Sequence, residues 1–157
     1  DMAVTVPEGN RVAGNGLLVA ESPAAEGQVR FHWRHRHPIA YYLVAFAATD
    51  YAVYRDLVPF PEGPVEVLNY VFPENLTSAQ ELTPGLIPQM QLFSELFGPY
   101  PFADEKYGHA QFLWGGGMEH QTMIAYGNPA ELRDHSTQPV VRQFLTRSAA
   151  AAIEDTP

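Results

Sequence analysis

Three consecutive glycines, Gly115 to Gly117, run into Met118, Glu119 and His120, then Gln121 and Thr122. Glycines at a strand edge let another backbone come close, so an extended peptide could pair there through main-chain hydrogen bonds. A carboxylate beside that edge, Glu119, could hold a free α-ammonium by a charge-assisted hydrogen bond. The plainer reading is a loop that needs positive φ angles and nothing more. The pattern disfavours a phosphate cradle, because neither the lysine nor the helix start that such loops use follows at the required spacing. Elsewhere His35 and His37 stand two apart on one strand face and could ligate a metal with a third group, although that spacing ordinarily marks a solvated or interface face. His32 points the other way, and His109 and His135 stand alone. Asp104 and Glu105 read as a solvated turn beside Lys106. Asn75-Leu76-Thr77 matches a glycosylation sequon and reads as a helix start. Trp33 and Trp114 read as core.

The elements that would position these residues fall into two halves. In residues 1–73 strands dominate. Met2, Val4 and Val6 alternate, and residues 12–21 are interrupted at Asn15-Gly16, a pair typical of tight turns. From Gln28 to His37, Val29, Phe31, Trp33, His35 and His37 share one face. Residues 40–58 suggest two strands broken near Thr49-Asp50, and VEVLNYVF at Val65 to Phe72 suggests another alternating strand. Helix follows. Ser78 and Glu81 fit a capping box, and Thr83-Pro84 fits a cap with a first-turn proline. Leu86, Met90, Phe93 and Phe97 form an apolar helical stripe, with Pro88 as an interior proline that would bend it and Gly98-Pro99 as its stop. A domain boundary is expected near residues 72–77. Residues 106–114 and 118–126 return to strand character. Ser136 or Thr137 with Pro139 opens a final helix, lined by Val141, Leu145, Ser148 and Ala152 and rich in alanine.

Composition narrows the function classes. The 157 residues carry a net charge of −9, and Lys106 is the one lysine, which argues against nucleic acid as a partner. Without cysteine there are no disulfides or thiolate metal sites. No apolar run approaches the roughly 20 residues of a membrane-spanning helix. No signal peptide is legible, and the opening DMAVTVPEG begins in mid-pattern, as the interior of a larger protein would. Composition leaves localisation open.

Gly116-Gly117-Met118-Glu119-His120 resembles the GxMEN motif of the aminopeptidase N family of zinc metallopeptidases, and Gly116 to Thr122 matches the variant GGMEHQT. FGPYPF at Phe97 to Phe102, with EKYG just after it, resembles the FGxYPF segment following the first helix of the family's catalytic domain. VTVPEG…VAGNG at Val4 to Gly16, and FHWRHRHPIAYYLVAFAATDY from Phe31, resemble segments late in the family's N-terminal β-domain. Together they span roughly residues 1–126 in the family's order. The resemblance implies an α+β chain. Residues 1–73 would be the end of an antiparallel, saddle-like β-domain, and residues 74–157 the start of a thermolysin-like catalytic domain, diverging after about residue 127. It also implies that Glu119 binds the amine of a peptide substrate with a free N-terminus, while Gly116, Gly117 and Met118 offer backbone contacts. His120 stands where the family has asparagine and receives no role.

The same resemblance implies zinc in a complete enzyme, whose metal-bound water attacks the first peptide bond while Glu119 sets the register. Zinc needs HExxH on a helix plus a downstream glutamate, and no HExxH is present. The nearest alignment puts Arg142, Gln143, Phe144, Leu145 and Thr146 on those positions, none of them able to serve. No zinc is expected to be bound by this chain, which alone is expected to be inactive. The other reading is a non-catalytic peptide-binding or interaction module built on the same scaffold.

Overall fold

The structure, a computed structural model, describes residues 1–113 and 115–127. The expected final helix, the positions aligned with HExxH, His135 and Trp114 lie outside the described residues.

Alternation builds the first layer. Strand β1 (Met2–Pro7) pairs antiparallel with β4 (Gln28–Arg34), and β4 pairs on its other side with β3 (Leu17–Pro23), whose register shifts between Leu18 and Ala20. Phe31 and Trp33 point inward from β4 and are 2% and 1% exposed. A separate pair joins β2 (Arg11–Gly14) to β5 (Phe46–Thr49). Asn15-Gly16 therefore does not close a hairpin between β2 and β3. Their partners are different strands, and the dipeptide carries the chain from one sheet to the next.

The third sheet is mixed. Strand β6 (Ala52–Val58) pairs antiparallel with β7 (Val65–Val71), and β7 pairs parallel with β8 (Tyr107–Gln111). β8 pairs parallel with β10 (Ile124–Tyr126), which closes antiparallel on β9 (Gly117–Met118), giving the order β6-β7-β8-β10-β9. Strand β7 is buried almost throughout instead of on alternate residues, because Leu68 and Tyr70 on one face join the larger core while Val65 and Val67 on the other are covered by α2. The sheet draws strands from both sides of residue 73, so one ladder runs across the expected boundary.

The β7-to-β8 crossover contains the helices α1 (Leu76–Leu82) and α2 (Leu86–Phe97), joined by a 3-10 turn at Thr83–Gly85. The capping box does not form. Asn75 is the N-cap without a side-chain bond, and the Ser78 hydroxyl donates back to the Asn75 carbonyl at 3.0 Å. Thr83 makes no side-chain cap either, and its hydroxyl instead accepts from Tyr54. Pro88 does not bend α2, because the helix begins at Leu86 and the proline falls in the first turn, where no backbone donor is lost. Gly98 ends the helix at φ +94°.

Of the expected apolar stripe, Leu86 and Met90 pack on Val58, Val65 and Val67, whereas Phe93 and Phe97 are 51% and 81% exposed. A larger core joins Phe31 and Trp33 of the first layer to Val12, Tyr51, Leu68, Tyr70, Ala110 and Met123. No described helix is long and apolar enough to cross a membrane. The described residues are sheet-dominated and mixed, with α1 and α2 as their α-helical part.

Candidate functional site

The glycine-rich string folds as the outermost strand of the five-stranded sheet. It is a hairpin, not one strand from Met118 to Tyr126 as its alternation suggests. Met118 faces Ala125 and Gly117 faces Tyr126, and the Gly127 amide donates to the Gly116 carbonyl at 2.8 Å. Between the strands, the Met123 amide returns to the His120 carbonyl at 3.1 Å. The other flank of β9 pairs with no strand among the described residues.

The three glycines differ in what they need. Gly116 sits at φ +103°, where a side chain would be strained, and its glycine serves the loop itself. Gly115 and Gly117 have no such φ. A Cβ at Gly115 would meet nothing within 4 Å, and one at Gly117 would make only ordinary contact with the Ala125 carbonyl at 3.5 Å. The conformation of the chain does not demand glycine at these two positions, and their bare backbone leaves the flank open with respect to the described residues. Glu119 follows β9, is exposed, and has no hydrogen-bond or ion-pair partner among the described residues. His120 is half-buried, with a buried Nδ1 that finds no partner among the described residues.

Behind the hairpin lies polar machinery that the sequence reading missed. Glu105 is fully buried at its side chain, not part of a solvated turn. Its Oε1 accepts from the Arg36 amide at 2.7 Å, and its Oε2 lies 2.6 Å from His35 Nδ1. His35 Nε2 in turn lies 2.8 Å from the Gln121 amide nitrogen. Asp104 does stay exposed, where it pairs with His37 at 2.8 Å and with Arg36. The hydrogen bond from His37 holds the Asp104 carboxyl below its ordinary range.

His35 and His37 do share a face, their rings 5.7 Å apart, but each faces its own acid. No group of three potential ligands forms among the described residues. His109 is not alone. Its Nδ1 meets the Asn69 side chain at 2.9 Å between the ring edges of Tyr107 and Tyr126, and burial lowers its pKa to about 4. Lys106 is 1% exposed, and burial lowers its pKa to about 7. The one signal in the sequence for this network is the isolation of a single lysine in an acidic chain.

No protein-family model matches the sequence, and no curated protein does. Solved structures match in shape. The M1 zinc metallopeptidase of Deinococcus radiodurans superimposes with a TM-score of 0.66 at 20% identity, over 94% of this chain and 32% of that one. A mutant of the same enzyme bound to a Tyr-Ser-Ala substrate gives 0.64 at 20% identity, over 89% and 31%. The likeness is one of fold. The chain spans about a third of the length of those enzymes.

Proposed function

We propose that this chain is part of a zinc-dependent aminopeptidase and carries the strand that receives the N-terminus of a peptide. In this reading, residues 1–73 end a saddle-like β-domain and residues 74–157 open a thermolysin-like catalytic domain. The observation that carries it is the open flank of β9. Among the described residues, an edge with no strand partner, two glycines that the fold does not require, and an exposed carboxylate without a partner lie within five residues.

An extended peptide adding to that edge would take main-chain bonds from Gly116, Gly117 and Met118. Glu119 would close on the terminal ammonium, so that a blocked amine loses the charge-assisted bond and a longer N-terminal extension has no place to go. The M1 fold supports zinc in the complete enzyme, but the described residues do not fit it, because no three ligands converge. This chain would therefore supply binding and register alone.

Titration of the chain with a dipeptide, and with the same dipeptide N-acetylated, tests the reading by calorimetry or NMR. The free amine is expected to bind at least tenfold better, and Glu119→Ala to remove the difference, since a hydrogen bond to a charged group contributes about 1.5–3 kcal/mol. Equal binding of both peptides, or a preference that survives Glu119→Ala, would overturn it.

A further inference from the structure

The turn between β9 and β10 holds a conformation that it would not choose alone. Thr122 lies at φ +62°, in the left-handed region, and is the one non-glycine residue there among the described residues. For a β-branched side chain this is an unfavourable backbone, and such positions persist only where the surroundings over-determine them.

The surroundings here come from three other segments. Lys106 Nζ donates to the Thr122 carbonyl at 2.7 Å and to the Gly14 carbonyl, at the end of β2, at 3.1 Å. The Gly16 amide donates to Thr122 Oγ1 at 2.7 Å. Asn15 Nδ2 donates to the Gln121 carbonyl at 2.5 Å and to the Leu43 carbonyl at 3.2 Å, while its Oδ1 accepts from the Ala45 amide at 2.7 Å. Gly108 makes room, since a Cβ there would sit 2.8 Å from the Thr122 carbonyl. Thr122 is 4% exposed, and Lys106 lies with its ammonium 5.2 Å from the Trp33 ring centre.

We infer that Lys106 is a positioning residue: its buried ammonium ties the Thr122 turn to the end of β2 and so fixes, from behind, the strand segment that presents Glu119. The consequence for Glu119 rests on the function proposed above, whereas the tie itself does not. Removing the ammonium leaves two buried carbonyls without their donor and Thr122 without the restraint that balances its backbone. The hairpin loosens while the sheets around it keep their ladders.

Lys106 is the single lysine, so lysine-specific isotope labelling yields one side-chain signal in the full chain. That signal is expected to be a slowly exchanging, hydrogen-bonded amine with dipolar contacts to Gly14 and Thr122. In Lys106→Met, the amides of Met123 and Gly127 are expected to exchange at least tenfold faster, with β1–β4 amides unchanged and the free-amine dipeptide bound at least threefold more weakly. Glu119→Ala is expected to lose the dipeptide with hairpin exchange unaltered. If the unmutated chain ignores the dipeptide, the proposed function falls, and the exchange measurements alone decide the role of Lys106. A freely solvated lysine signal in the unmutated chain would overturn the inference whether or not Lys106→Met folds. Exchange that rises equally in all sheets, or nowhere, would overturn it as well.

Discussion

Raising the pH from 7 toward 10 should stabilise this protein, and Lys106 is the reason. Burial lowers its pKa from 10.5 to about 7 in the folded chain, while Glu105 and Glu66 pull the other way. Arg11, Glu21 and Arg55 line the same cleft, and the carbonyls of Gly14 and Thr122 and the face of Trp33 complete the surroundings. Between the two pKa values the unfolded chain binds a proton that the folded chain does not. Stability therefore rises with pH in that window, by at most about 1.4 kcal/mol per unit. Below pH 7 both states hold the proton and the penalty is complete. As pH climbs from about 7 it is progressively relieved, for a total on the order of a few kcal/mol. Above about pH 10 the gain is opposed. Tyr51 and Tyr107 are pushed up to about 12 by burial, so the unfolded chain ionises its tyrosines first and stability falls. Urea unfolding followed by tryptophan fluorescence at half-unit steps from pH 6.5 to 9.5 would show the rise, and Lys106→Met would flatten it. A flat or falling curve in the unmutated chain, or a lysine signal titrating near 10.5, would refute the reasoning.

Two further perturbations separate scaffold from site. Glu105→Ala strips the His35 ring and the Arg36 amide of their buried acceptor, and should cost about 3 kcal/mol in urea unfolding, because each buried donor left unsatisfied costs about 1–3 kcal/mol. A loss within experimental error would show that the cluster holds nothing. Gly116→Ala should cost about 1–2 kcal/mol through its left-handed backbone. Gly117→Ala should leave stability unchanged within about 0.5 kcal/mol, since its Cβ would make only ordinary contact with the Ala125 carbonyl, and should weaken free-amine dipeptide binding if the bare backbone there serves the approach of a ligand. Calorimetric binding that is insensitive to Gly117→Ala would remove the argument from the spare glycines.

Local pattern was enough for much of the scaffold. Alternation in Met2 to Val6 and in Val29 to Trp33 reports a half-buried strand directly, and Gly98-Pro99 stops a helix wherever it occurs. Tertiary pairing was not legible. That β2 seeks β5 while β3 seeks β4 depends on partners dozens of residues apart, so Asn15-Gly16 looked like a hairpin turn when it is a passage between sheets. Ser78 and Glu81 have the spacing of a cap, but the preceding 3-10 turn at Pro73–Asn75 starts the helix earlier and takes the role away. Pro88 looked disruptive only because the first turn was placed too far back. At the site, the string Gly115 to Glu119 announced itself through composition. Glu105 and Lys106 did not, because charged neighbours in sequence ordinarily mean solvent. What buries them is the approach of the end of β2, the segment after β4 and the hairpin.

The brevity of β9 has a consequence beyond recognition. An exposed edge is an invitation to any extended chain, including another copy of the same protein, and long flat edges grow into stacked aggregates. This one offers Gly117 and Met118 only, with a left-handed Gly116 breaking the line on one side and the negative charge of Glu119 on the other. In the proposed function it would be long enough to grip the first residues of a peptide, and it is too short to serve as a template for its own polymerisation.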